Sequence, residues 1–441
     1  MDEAVTPPAN ARAIFWISVL LLFTAALSFS VRTGVSGAIK ESLLDPYMPA
    51  SSGELIAASL GYGFLGFALS LLVVSPLLDV FGAKKTTLFS AACFIVGPLL
   101  IILSPVAGDG ASTYMVLNIG MIVCGLAWGA MEATVNPVTA AIYPEDKTGR
   151  LNILHAWWPA GIIVGGLASV FLYETDAVSW QFMIATIMVP GFICGIWAMT
   201  QDFPVTESTA RGVTFGEMMV APFKRLGFWI FPAIMFLTTA SELAPGSWVD
   251  VALTETVGMP GILVLVYVSA IMFVMRHFAG PLERRFTDIG LLLMCTVPAA
   301  IGLYLLSIAN SPFTAMLAAT AWAFGVCFMW PTMLAAANRR YPETGPWGIG
   351  LVGFAGALAM YFLLPEIGKI YDRAKLEAAG GEEAFASLQE GPELSAALAY
   401  AAEQSFQAIA VIPVILFFIF GALFLWERSR RRKQAGQAEP A

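Results

Sequence analysis

The chain has 441 residues, of which 58% are hydrophobic and only 12% charged, about half the charged fraction of a soluble domain. That composition excludes a water-soluble globular protein, and the net charge of −8 gives no sign of a nucleic-acid partner. Apolar runs of the roughly 20 residues needed to cross a bilayer recur throughout, and backbone groups in lipid must bond internally, so each run is read as a helix.

The first run, 13–38, contains Arg32 near one end and is a candidate for a break there. It is too long for a signal-peptide core and follows the acidic Asp2 and Glu3, so it is expected to stay as a helix. Runs 54–79 and 86–104 flank a loop containing Asp79, Gly82, Lys84 and Lys85. The fourth run, 112–142, holds Glu132, the only acidic or basic side chain between Asp109 and Glu145. A carboxylate at bilayer depth costs about 3 kcal/mol even on lenient scales, so it marks a substrate or proton site, or else a protonated group bonded between helices. Trp128, Glu132 and Asn136 recur every four positions and share one helical face. In the fifth run, 151–173, Asn152, His155 and Trp158 are spaced three apart. His155 is read as a proton relay or substrate contact, or as a packed neutral histidine.

A sixth run, 178–200, leads into the polar stretch 201–226, which divides the chain into halves 1–200 and 227–426 followed by a basic tail, 427–441. The seventh run, 227–252, carries Glu242 near its middle, then Pro245-Gly246, a second candidate break, and Trp248. Runs 260–280, 288–308, 312–338, 346–370 and 397–426 complete twelve. The segment 372–403, with seven acids and two bases, is read as a solvated loop. Cys93, Cys124, Cys194, Cys295 and Cys327 lie within runs at no metal-ligand spacing and are read as packing residues. No cofactor, metal or catalytic residue is expected: there is no His-Glu-x-x-His, no Asp-rich diphosphate motif and no Ser/His/Asp set at bilayer depth.

Placing both termini in the cytoplasm puts eighteen lysines and arginines on that side, Arg276 among them, and leaves Arg32, Lys40, Lys369, Arg373 and Lys375 opposite. This asymmetry predicts a multi-pass protein of the cell membrane with cytoplasmic termini. Tyr143-Pro144-Glu145 after the fourth run recurs as Tyr341-Pro342-Glu343 after the tenth, and Pro76-Leu-Leu-Asp79 is echoed by Pro281-Leu-Glu-Arg284. Such echoes predict an all-α integral membrane protein of twelve helices in two pseudo-symmetric six-helix bundles, with a site between them.

The loop Ser75-Pro-Leu-Leu-Asp79-Val-Phe-Gly82-Ala-Lys84-Lys85 resembles the signature of the major facilitator superfamily, Gly-x-x-x-Asp-x-x-Gly followed by basic residues, with Ser75 and Ala83 as departures. Two further stretches resemble the fucose/galactose/glucose–proton symporter branch. One runs from Glu132-Ala-Thr-Val-Asn136-Pro137 through Tyr143-Pro144-Glu145 to His155-Ala-Trp157-Trp158; the other is Glu242-Leu-Ala-Pro-Gly-Ser-Trp248. The first-helix carboxylate of the fucose permease has no counterpart here, and Arg32 stands in that run instead. The resemblance implies a secondary transporter that works by alternating access.

The residues themselves suit a polyol, because carboxylate and amide groups pair with hydroxyls while indole faces cover C–H edges. Trp128, Glu132, Asn136, Asn152, His155, Trp158, Glu242, Trp248 and Arg32 are therefore the candidate substrate or proton residues. Arg32 is open to three readings: contact with an anionic substrate, pairing with Glu132 or Glu242, or snorkelling to the surface. Asp79, Gly82, Lys84, Lys85, Arg150, Arg284 and Arg285 are read as a cytoplasmic gate. The expected partners are a small solute, protons and the lipid bilayer, with a monomer sufficient for the pathway. An organic-anion or drug carrier and a non-transporting sensor remain the alternatives.

Overall fold

The computed structural model describes residues 9–143, 147–173, 175, 177–205, 212, 214–389 and 391–437, and the side chains of all these except 140, 147–149, 151–152, 255, 342 and 431–437. The described residues are helical, without strands. The first bundle contains α1 (Ala11–Gly34), α2 (Ser36–Leu43), α3 (Ser52–Phe81), α4 (Ala83–Leu103), α5 (Gly110–Ile142), α6 (Lys147–Ala168), α7 (Trp180–Thr186) and α8 (Met188–Met199). A short α9 (Phe215–Lys224) lies in the connection. The second bundle contains α10 (Ile230–Val257), α11 (Ile262–Arg276), α12 (Ala279–Phe286), α13 (Asp288–Ser307), α14 (Pro312–Val326), α15 (Met329–Arg340), α16 (Gly345–Ala379), α17 (Glu382–Ser387) and α18 (Pro392–Gln437). Among the described residues eleven helices are long and apolar enough to cross a membrane, or twelve if α11 and α12, bent by 66°, count as one span.

Of three expectations here, one holds and two need correction. The first run does break after Arg32, at Val35, where α1 gives way to α2; the seventh, however, continues through Pro245 as the unbroken α10. Proline removes the N–H that residue 241 would otherwise accept, and the Trp322 indole donates to that Ser241 carbonyl at 3.1 Å, so the helix persists. The segment 372–403 is not a solvated loop: α16 runs on to Ala379, with Asp372 and Lys375 buried, and α18 begins at Pro392.

Helices meet where side chains are small. A Cβ at Gly125 of α5 would overlap the Gly63 carbonyl of α3, and one at Gly66 would overlap the Ile122 carbonyl. With no hydrophobic force between helices in lipid, such backbone approach carries much of the packing. Gly125→Val is therefore expected to lower the yield of monodisperse protein sharply, as measured by size-exclusion chromatography in detergent, whereas a valine at the open, exposed Gly216 leaves it unchanged. Between the bundles, α3 lies along α16 and α6 along α11. Hydrogen bonds from Asn10 to Gln201 and Asp202, and an Arg340–Glu427 pair, mark the near end, where α1 starts and α18 ends.

Candidate functional site

Between the bundles, toward the near end, a small cavity of about 30 Å³ is lined by Trp128, Glu132, His155, Trp158, Glu242, Leu243, Arg276 and Trp330. Four helices of the two bundles aim their polar groups here. Glu132 lies ten residues before the end of α5 and Glu242 twelve residues into α10, so both sit about 15–18 Å from the near end at 1.5 Å per residue.

On the first bundle the polar groups form a chain. The Asn136 amide N–H donates to Glu132 Oε2 at 3.1 Å, and its Oδ1 is 2.8 Å from His155 Nε2. The face spacing of α5 makes the first contact, and α6 brings His155 to the second. Above them Trp128 stacks on Phe67 at 4.3 Å and on Trp158 at 4.8 Å, and Phe67 faces Trp330 of the second bundle at 6.2 Å. The Trp128 indole N–H is buried and has no hydrogen-bond acceptor among the described residues. A donor left in that condition is available to a ligand.

On the second bundle Arg276 Nη2 donates to Glu242 Oε1 at 3.3 Å, with side chains only 9% and 5% exposed. The break between α14 and α15 supports this pair. Pro331 lacks the N–H that the Cys327 carbonyl would accept in a helix, and Arg276 Nε donates to that carbonyl instead, at 3.1 Å. Trp330, in the first turn of α15, has a backbone N–H with no helical partner and donates it to Glu242 Oε2 at 3.1 Å. One broken helix thus supplies the acceptor for the cation and the donor for the anion.

Of the predicted residues, Trp128, Glu132, His155, Trp158 and Glu242 line the cavity and Asn136 links two of them. The Asn152 side chain lies outside the described residues. Trp248 does not reach the cavity; it is fully buried edge-on against Tyr371 at 5.8 Å. Arg32 neither lines the cavity nor snorkels. At 5% exposure it is buried in the first bundle, where Nε donates to the Ser28 carbonyl at 3.0 Å and Nη1 approaches Met121 Sδ at 3.6 Å. Among the gate candidates Asp79, Lys85, Arg284 and Arg285 are exposed at the near end, and Gly82, with φ of 83°, ends α3. Lys84 reaches Asp202, in the connection just after α8, at 3.9 Å, and the Arg150 guanidinium covers the Tyr143 ring of the same bundle at 4.5 Å. The stronger ion pairs at this end join Arg339 to Glu283 and Asp288, and Arg340 to Asp288 and Glu427, inside the second bundle.

Arg276 and Trp330 are the functional candidates that sequence reading missed. Arg276 falls inside run 260–280, where the cost of a charge at bilayer depth that singles out Glu132 applies equally. Gly325 and Pro331, which interrupt the tenth run, are the signal that points to Trp330.

Two helical bundles with a buried polar cavity at their interface make the fold seen in solved membrane transporters. The sequence profile of the Major Facilitator Superfamily matches residues 11–364, and the chain belongs to that family. A D-xylose transporter of Levilactobacillus brevis is 29% identical over 169 residues, 37% of this chain and 34% of that protein. The chain covers about a third of the length of the curated relatives it matches. Among solved structures, the E. coli xylose transporter in a partially occluded inward-open conformation aligns with a TM-score of 0.71 at 12% identity, covering 95% of this chain and 99% of that one. The E. coli fucose:proton symporter aligns with a TM-score of 0.56 at 15% identity, covering 91% and 98%.

Proposed function

We propose that this protein is a proton-coupled carrier of a small neutral polar solute, with a sugar as the best fit, working by alternating access of its two bundles. The observation that carries the reading is the convergence of Glu132 and His155, bridged by Asn136, from one bundle with Glu242 and Arg276 from the other at one tryptophan-walled cavity. Indole faces suit sugar C–H edges, and the carboxylate, amide and imidazole suit hydroxyls. The sugar transporters among the relatives and structural neighbours support the same substrate class.

The two acids differ in what compensates them. Glu242 is held by Arg276 and the Trp330 N–H, whereas among the described residues Glu132 accepts a hydrogen bond from the Asn136 amide. A buried carboxylate without a paired cation is stabilised by holding a proton, so Glu132 is the proton carrier and Glu242 anchors Arg276. Among the described residues the arginine that lines the cavity, Arg276, is engaged by Glu242, and Arg32 lies elsewhere, which favours a neutral solute over an anion. A cavity of about 30 Å³ holds water but not a monosaccharide, so the solute enters only after the bundles separate. In this reading the near end, with its excess of basic residues and gate candidates, faces the cytoplasm of a cell membrane, and a monomer holds the whole pathway.

The test is uptake of labelled pentoses, hexoses and hexuronates into proteoliposomes of the purified protein, with and without an inward-acid pH gradient. Gradient-driven accumulation of a neutral sugar that a protonophore collapses is the expected result. Movement of hexuronate alone, or sugar flux indifferent to the gradient, overturns the proposal.

A further inference from the structure

At the far end, two carboxylates of the second bundle reach the first turns of helices in the first. Asp250, near the end of α10, accepts the Gly37 backbone N–H at 3.0 Å and lies 3.4 Å from the Ser36 hydroxyl, at the start of α2. Asp372, on α16, accepts the Glu54 backbone N–H at 2.7 Å, at the start of α3. Both aspartates are less than a tenth exposed. First-turn N–H groups have no helical acceptor and form the positive end of the helix dipole, so each carboxylate sits where an anion is favoured.

The local sequence is built to admit them. Both helices open with the same dipeptide, Ser36-Gly37 and Ser52-Gly53. A Cβ at Gly37 would lie 3.1 Å from Asp250 Oδ2, and one at Gly53 would lie 2.6 Å from Asp372 Oδ1, so glycine leaves room for the incoming carboxylate. Lys375 supplies a resident counter-ion. Its Nζ stands 2.5 Å from Asp372 Oδ1, an ion contact without hydrogen-bond alignment, and also reaches the Pro49 carbonyl across the interface at 3.4 Å. Because Lys375 shares α16 with Asp372, parting the bundles does not strand Asp372 as a buried unpaired charge, and that contact can break at modest cost.

We propose that Asp250 and Asp372 form a two-point latch that holds the far mouth between the bundles closed and that must release before this end can open. The latch stands independently of which solute the protein carries.

The experiment is double electron–electron resonance on the full-length protein in lipid nanodiscs, spin-labelled at Val106→Cys and Ile308→Cys. These exposed far-end positions lie one on each bundle, and the five native cysteines are buried. A single short distance is expected with both aspartates present. Asp250→Asn, Asp372→Asn and the uncharged wedge Gly53→Val are each expected to raise the population of a longer distance about five-fold, and the double aspartate variant more. Unchanged distances in all four, or a long distance already dominant without substitution, overturns the latch. If Asp372→Asn does not fold because Lys375 is stranded, Asp250→Asn and Gly53→Val decide the matter by the same readout.

Discussion

Glu132→Gln is expected to abolish gradient-driven accumulation while leaving solute exchange in place. Glutamine keeps the size of the side chain and still offers a carbonyl oxygen to the Asn136 amide, which donates to Glu132 Oε2 at 3.1 Å, but it never gains or loses a proton. The variant is thus fixed in the form that a protonated Glu132 takes. A neutral group at that place does not oppose loaded bundles as they interconvert, so labelled solute exchanges down its own gradient. What is lost is the linkage. A one-unit pH difference stores about 1.4 kcal/mol per proton, enough for about ten-fold accumulation with one proton per solute, and in the variant that ratio is expected to fall to one. Uptake into proteoliposomes with and without the gradient, beside counterflow of preloaded solute, measures both quantities. Undiminished uphill uptake in the variant removes Glu132 from the proton route.

The largest effect on stability is expected at Arg276. Arg276→Leu leaves Glu242 buried with the Trp330 N–H as its remaining partner and frees the Cys327 carbonyl again. Removing one member of a buried pair costs roughly 3–5 kcal/mol because the other charge is left uncompensated, whereas replacing both is often close to neutral. Arg276→Leu is therefore expected to lower the melting temperature in detergent strongly, Glu242→Gln to do so as well, and the double variant to recover most of the loss. Thermal unfolding of all four proteins gives the coupling directly. Additive losses in the double variant would mean that the 3.3 Å contact contributes nothing beyond packing.

The apolar runs were legible because membrane insertion depends on short windows of composition, and among the described residues eleven helices meet that criterion. Trp128, Glu132 and Asn136 were legible as one face for an equally local reason, the helical repeat. Breaks were read less well. Pro245 looks like a helix breaker until the indole of Trp322, far along the chain, takes up the carbonyl it frees. The reverse holds at Pro331, where the helix does break and the freed Cys327 carbonyl goes to Arg276. Whether a proline interrupts a membrane helix depends on which neighbour satisfies the orphaned group, and no window of sequence contains that neighbour. The acidic segment 372–403 misled for the same reason: Asp372 reads as a solvated charge until the first turn of α3 receives it.

Composition and spacing by themselves determined that this is a multi-span membrane protein with acids at bilayer depth, since transfer cost and helical period are properties of neighbouring residues. Tertiary structure alone decided which acid has a counter-ion. Glu242 gains Arg276 and the Trp330 N–H through the meeting of α10, α11 and α15, while Glu132 faces the same cavity with an amide as its hydrogen-bond partner. Arg32, as conspicuous in the sequence as Arg276, ends up packed inside one bundle. Compensation of a buried charge is a contact between distant parts of the chain, so it is settled only when the helices have packed.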